Sequence, residues 1–187
     1  MSKGLEIERK FLVELPDLGS LDVRRKIGIR QTYLNRGAND SQRRVRCISE
    51  NGKVSYTYTE KLFITPVTRE ENEREITGDE YRFLLGQTDR KIAPVEKTRY
   101  CFDYHGQMFE LDTYPFSRKL AIMELELGSP DQEIDFPDNV RVIKDVSADK
   151  KYSNAALATA GAFPEQNMTS PLGDGTEMPD VGKICRS

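Results

Sequence analysis

The chain has no tryptophan, one histidine and three cysteines in 187 residues. No stretch comes near the roughly 18 consecutive apolar residues that a spanning helix needs. The opening Met-Ser-Lys-Gly-Leu-Glu lacks the apolar segment of a secretory signal, so a soluble, cytoplasmic protein is expected. Charge of one sign is not in excess either: 28 Lys and Arg against 31 Asp and Glu leave a net charge of −3. The chain thus lacks the broad basic excess of a nucleic-acid-binding surface, and how its charges are segregated matters more than their sum. Cys47, Cys101 and Cys185 are odd in number, widely spaced and without a CxxC pair or a histidine partner nearby. Neither a disulfide framework nor a zinc site is indicated, and the three read as reduced structural thiols.

What is present is alternation. From Leu5 to about Leu127, short runs of alternating character are broken by turn residues, the mark of antiparallel strands with two unlike faces. The predicted strands are 5–13, 30–35, 42–49, 53–63, 68–76, 94–104, 107–114 and 120–128. Glu50-Asn51-Gly52 and His105-Gly106 have the composition of tight hairpin turns. Thr77-x-x-Glu80 is a capping box opening a helix that ends near Gly86. A second helix is capped by Ser147 or Asp149, runs through Tyr152 and Leu157, and stops at Gly161; a short third within 17–29 has only a weak pattern. The fold class is α+β, and eight strands are enough to close a barrel. Residues 1–163 form the domain; 164–187, mixing Pro, Gly, Ser, Thr and acids without periodicity, read as a flexible tail.

Sorting each strand by parity is the most informative step, because residues two apart share a face. One face collects Glu6, Glu8 and Lys10; Arg44 and Arg46; Thr57, Thr59 and Lys61; Glu71, Glu73 and Glu75; Lys97 and Arg99; Glu110 and Asp112; Glu124 and Glu126. The opposite face is mainly apolar, with Glu60 and Arg74 as departures. Like charges at spacing two repel unless a counter-charge lies between them. A polyanion held by the basic pairs and divalent cations held by the acidic pairs supply that counter-charge. Carboxylates suit hard cations such as Mg²⁺ or Mn²⁺, and Arg forks and Lys ammonium groups suit phosphate oxygens. If the strands close with this face inward, the barrel is a polar channel. No side-chain nucleophile is required: Cys47 has the parity of the apolar face, Cys101 shares parity with Lys97 and Arg99 but reads as a strand-end residue, and His105 lies in a turn.

Glu6-Ile-Glu-Arg-Lys10 resembles the ExExK signature of the CYTH superfamily, the triphosphate tunnel metalloenzymes. It is followed in order by Gln31-Thr-Tyr-Leu34, Arg44-x-Arg46, Thr59-x-Lys61, Glu71-x-Glu73, Val95-Glu-Lys-Thr-Arg-Tyr100, Phe109-Glu-Leu-Asp112, Glu124-x-Glu126 and Asp149-Lys-Lys-Tyr-Ser-Asn154. The resemblance implies an eight-stranded antiparallel tunnel with a triphosphate between its walls. By position, Lys10, Arg44, Arg46, Lys61, Lys97 and Arg99 would contact phosphate, and Glu6, Glu8, Glu124 and Glu126 would hold one or two Mg²⁺ or Mn²⁺ ions. Glu110 and Asp112 would complete an acidic wall. Lys97, Glu73 and Glu71 would serve the chemistry, Glu75 would be an outlying member, and the C-terminal helix would pack against one mouth.

Within that family the chain is most similar to short bacterial proteins that hydrolyse inorganic triphosphate. The resemblance therefore implies metal-dependent hydrolysis of a terminal phosphate, with a small triphosphate as partner and neither nucleic acid nor membrane. The alternatives are a class IV-type adenylate cyclase, a nucleoside or thiamine triphosphatase, or a non-catalytic module for polyphosphate or nucleotide. Retention of every acidic pair disfavours the binding module, because carboxylates weaken anion binding unless metal is present. Monomer and homodimer stay equally open.

Overall fold

Asn51 and Gly52 have φ of 51° and 76°, and His105 and Gly106 have 48° and 79°. Two successive positive φ values give turns whose twist matches that of flanking strands. They join β3 (Gln42–Glu50) to β4 (Lys53–Phe63) and β6 (Val95–Tyr104) to β7 (Gln107–Thr113), as the sequence predicts. These hairpins belong to a computed structural model that describes residues 7–63 and 69–168. The other strands are β1 (Ile7–Glu14), β2 (Val23–Leu34), β5 (Arg69–Ile76), β8 (Leu120–Leu127) and β9 (Val142–Asp145). They form one antiparallel sheet in the order β5-β4-β3-β2-β6-β7-β8-β1-β9.

This corrects the expected closed barrel of eight strands: the sheet has nine strands and is not closed. The reason lies at β1. To close the sheet, β5 would have to pair with the outer edge of β1, and β9 occupies that edge from Phe11 to Val13. Glu14 N donates to Arg141 O at 3.0 Å and Val146 N to Lys10 O at 2.8 Å, which extends the same edge contact. With only Val142 and Ile143 as apolar residues, β9 is too short to show an alternation. The start of β2 was also hidden. A register shift between Val23 and Arg25 breaks its parity, so the stretch expected to hold a weak helix contains a single 3₁₀ turn, Leu18–Ser20, and then strand.

The outer face carries the larger core. Phe11, Val13, Phe102, Phe109, Met123 and Leu125 pack beneath Ile134, Phe136 and Val140 of the 128–141 loop. Helix α1 (Gly78–Leu85) lays Tyr81 and Leu84 on Leu34, Val45 and Cys47, and Thr77 Oγ1 caps it by accepting from Glu80 N at 3.1 Å. Glu60 and Arg74 are partnered there: Glu60 accepts from Ser41 and Tyr58, and Arg74 pairs with Glu80. Cys101 is a free buried thiol, whereas Cys47 is disulfide-bonded, which overturns the expectation of a reduced thiol there.

Helix α2 (Asn154–Ala160) is shorter than predicted. Ser153 caps it, while Asp149 caps a separate 3₁₀ turn, Lys150–Tyr152. It packs against one end of the charged face, where Leu12, Tyr33, Val95, Tyr114 and Ile122 meet Tyr152, Leu157 and Phe163. Beyond residue 163, Pro164–Met168 forms a further 3₁₀ turn that docks by Lys144–Glu165 at 2.7 Å and Gln166–Ser117 at 3.1 Å. Among the described residues no helix is long and apolar enough to cross a membrane.

Candidate phosphate and cation site

Antiparallel pairing puts directly opposite residues on one face. The registers therefore assemble the charged residues into rows across the sheet. On one side the rows are Glu71–Lys61–Gln42, Glu73–Thr59–Arg44–Tyr33 and Glu75–Thr57–Arg46–Gln31. On the other, Arg99 faces Asp112, Glu110 faces Glu124, Glu124 faces Lys10, and Glu126 faces Glu8. Glu6 lies outside the described residues.

Much of the expected repulsion is relieved across strands rather than along them. Lys61 pairs with Glu71 at 2.7 Å, Arg44 with Glu71 at 3.2 Å, and Arg46 approaches Glu73 at 3.8 Å. Thr59 Oγ1 donates to Glu73 at 2.7 Å. Arg99 is clasped by three acids: Asp112 through Nε and Nη2 at 2.7 and 2.8 Å, Glu124 at 2.7 Å, and Glu110. Lys10 reaches Glu124 at 2.8 Å. Lys97, 2% exposed, is paired with Asp112, 0% exposed. Burial pulls the Lys97 ammonium below its ordinary range, against the pull of Asp112. Burial acts to raise Asp112, but Lys97 and Arg99 outweigh it and hold the carboxyl low. Neighbouring strands thus supply counter-charges that the sequence reading assigned to a ligand.

Two pairs of acids nevertheless meet across strands. Glu110 and Glu124 stand directly opposite each other, as do Glu8 and Glu126. These four line a cleft of about 440 Å³ with Met108 at its rim, within the range of small-molecule pockets. Burial and then the charge of Glu124 push the Glu8 carboxyl up, against Lys10 and Arg99; with 59% of its side chain exposed, solvent tempers the effect. Four hard oxygen donors on adjoining strands fit a divalent cation, with Arg99 already paired to Glu110 and Glu124 and Lys10 to Glu124 and Glu8. Among the described residues no three acids, cysteines or histidines are yet drawn together into a cage.

The basic wall also has unused capacity. Arg44 Nε, Gln31 Nε2 and Thr57 Oγ1 are buried without a hydrogen-bond partner. Burial, then Arg44, pulls the Arg46 guanidinium down, against the pull of Glu73. Gln31, Tyr33, Thr57 and Thr59 were not among the predicted site residues. Only the parity of β2, which the sequence resolved over six residues, could have put Gln31 and Tyr33 on this face. Glu75 is exposed opposite Thr57, at the edge of the site.

The minor candidates fall away. His105 sits in its turn, paired with Asp135 at 2.5 Å. Cys101 packs with Ile27 and Ile29, and burial, then Glu110, push its thiol up, the reverse of what a nucleophile needs.

The sequence pattern of the CYTH domain matches residues 4–144. Two crystal structures of NE1496, one described as a hypothetical protein and the other as an inorganic triphosphatase, are each 32% identical to this chain with a TM-score of 0.56. They cover 86% and 85% of this chain and 100% and 97% of their own. PH1819 from Pyrococcus horikoshii OT3 is 23% identical with a TM-score of 0.48, over 67% of this chain and 81% of its own. No curated protein matches.

Proposed function

Because this chain belongs to the CYTH domain family, we propose that it hydrolyses the terminal phosphoryl group of a triphosphate, inorganic triphosphate first, with a divalent cation. The observation that carries the reading is the division of one sheet face into a basic wall with unused donors and an acidic cluster whose members face each other. The 32% identity to a structure described as an inorganic triphosphatase supports the choice of substrate.

In this reading Lys10, Arg44, Arg46, Lys61, Lys97 and Arg99 are the phosphate-binding set. Forked guanidinium groups and point-charge ammonium groups together neutralise a chain of phosphoryl oxygens. Glu8, Glu124 and Glu126, with Glu6 from the segment outside the described residues and Glu110 beside them, would hold Mg²⁺ or Mn²⁺, which supplies charge neutralisation and polarises the phosphoryl oxygens. Asp112 keeps Lys97 and Arg99 aimed across the site from a fully buried position. Lys97, its proton less tightly held than an ordinary lysine's, serves the bridging oxygen that leaves; Glu71 and Glu73 orient the attacking water and receive its proton. The P–O bond to the leaving diphosphate breaks as the bond to water oxygen forms. Residues 1–163 act as the catalytic domain.

Phosphate release from inorganic triphosphate, ATP and thiamine triphosphate, each with Mg²⁺ and then with EDTA, tests this directly. Chelator-sensitive release, fastest from inorganic triphosphate, is expected. Release from none of the three, or cyclic AMP as the product from ATP, overturns it.

A further inference from the structure

Gln31 is 1% exposed and lies at the middle of β2, directly opposite Arg46. Its Oε1 accepts from Arg46 Nε at 2.8 Å. That bond fixes the carboxamide, because an arginine N–H requires the oxygen to face it, so the amide NH₂ must point elsewhere. Nε2 is buried and makes no hydrogen bond of good geometry, the neighbouring Tyr33 hydroxyl being the protein group close enough to compete for it. On the other side of Arg46, Thr57 stands opposite it and its Oγ1 is likewise buried and unbonded. Leaving a buried donor unpaired costs about 1–3 kcal/mol, and this row carries two such groups around one guanidinium.

We infer that Gln31 and Thr57 are phosphoryl-binding residues: Gln31 holds Arg46 with its oxygen and donates Nε2 to an anionic phosphoryl oxygen, and Thr57 donates Oγ1 to an oxygen on the other side of the same guanidinium. The inference rests on the triphosphate reading and adds neutral donors to a set chosen for charge alone. Three adjoining strands spaced about 4.8 Å apart give the row a span of roughly 10 Å, wide enough for more than one oxygen. A phosphoryl oxygen suits this row better than a carboxylate side chain of the protein. Glu73, which reaches Arg46, is already taken by Thr59 at 2.7 Å and stays 3.8 Å from the guanidinium, and Glu75, opposite Thr57, is exposed at the end of the row and accepts no hydrogen bond from Thr57.

Binding of inorganic triphosphate to the whole protein in EDTA, followed by titration calorimetry, tests the inference beside steady-state kinetics with Mg²⁺. Thr57→Val keeps shape and touches no bond to Arg46; Gln31→Met keeps length and removes both polar atoms. Each is expected to weaken triphosphate binding about ten-fold and to raise KM by a similar factor, since hydrogen bonds to charged groups are worth that much. A role limited to holding Arg46 predicts instead that Thr57→Val binds as the parent does. Binding within two-fold of the parent by a folded Thr57→Val overturns the inference while the triphosphate reading stands. Where Gln31→Met fails to fold, as judged by its melt, Thr57→Val decides alone. A parent protein that neither binds nor hydrolyses triphosphate brings down both.

Discussion

Asp112 shows what burial does to a charge. It accepts from Lys97 and from two nitrogens of Arg99 with none of its surface in water. Taking the charge away leaves two desolvated cations without their acceptor, a loss of about 3–5 kcal/mol in comparable buried pairs. Glu71 makes a pair of similar length to Lys61, but 34% of its side chain is in water. Exposed pairs of that kind are worth about 1 kcal/mol or less. Urea unfolding should therefore separate Asp112→Asn, destabilised by several kcal/mol, from Glu71→Gln, nearly unchanged. Equal small effects would show that Asp112 is not the structural anchor of this network. Each of these residues was legible in the sequence as a member of the charged face. Which acid was anchored and which was exposed was not, because parity assigns a face and says nothing of depth.

At the level of elements, α2 is a short helix with a large burden. Leu157 is fully buried among Leu12, Tyr33, Tyr114 and Phe163, at the end of the charged face. Ser153 and Gly161, the latter at a φ of 63°, fix its two ends. Cutting Leu157 to alanine leaves a cavity in contact with the residues that bound the polar site, and such changes cost about 2–5 kcal/mol. Phe83 on α1 is 72% exposed, so Phe83→Ala should stay within about 0.5 kcal/mol. Thermal melts of the two variants check this, and a Leu157→Ala protein as stable as Phe83→Ala would mean that α2 is dispensable. The helix was foreseen by its C-terminal glycine. Its start was misplaced because Asp149 and Ser153 are both good caps, and only packing decides that the chain turns once at Lys150–Tyr152 before the helix begins.

Across the whole molecule the acids respond to pH in two opposite ways. Burial acts to raise Glu71, but its hydrogen bond to Lys61 wins and the carboxyl sits low, as Asp112 does under Lys97 and Arg99. The folded chain then binds fewer protons than the unfolded chain, so this stability is present above the ordinary carboxylate range and is lost as pH falls through the depressed values. Glu8 has the reverse sign. Raised from its ordinary 4.5 by burial and Glu124, it makes the folded state slightly less stable as pH rises through the window above 4.5. A cation among Glu8, Glu110, Glu124 and Glu126 would remove that cost. The rise in melting temperature on adding Mn²⁺ should accordingly be larger at about pH 8 than at about pH 5, with protons released on binding. An equal rise at both pH values would remove this cluster as the cation site.

The sequence by itself determined the two-faced strands, the two hairpin turns, the capped α1 and the identity of nearly every charge on the polar face, because strand periodicity and turn chemistry are local. Only the tertiary structure decided how those charges meet. Register converts like-charged pairs along a strand into opposite-charged pairs across strands, and leaves Glu8 with Glu126 and Glu110 with Glu124 as the acids still facing each other. It also decided that the sheet stays open. Four residues brought back by a loop, Val142–Asp145, take the edge of β1, and nothing local in their sequence announces which edge they will find.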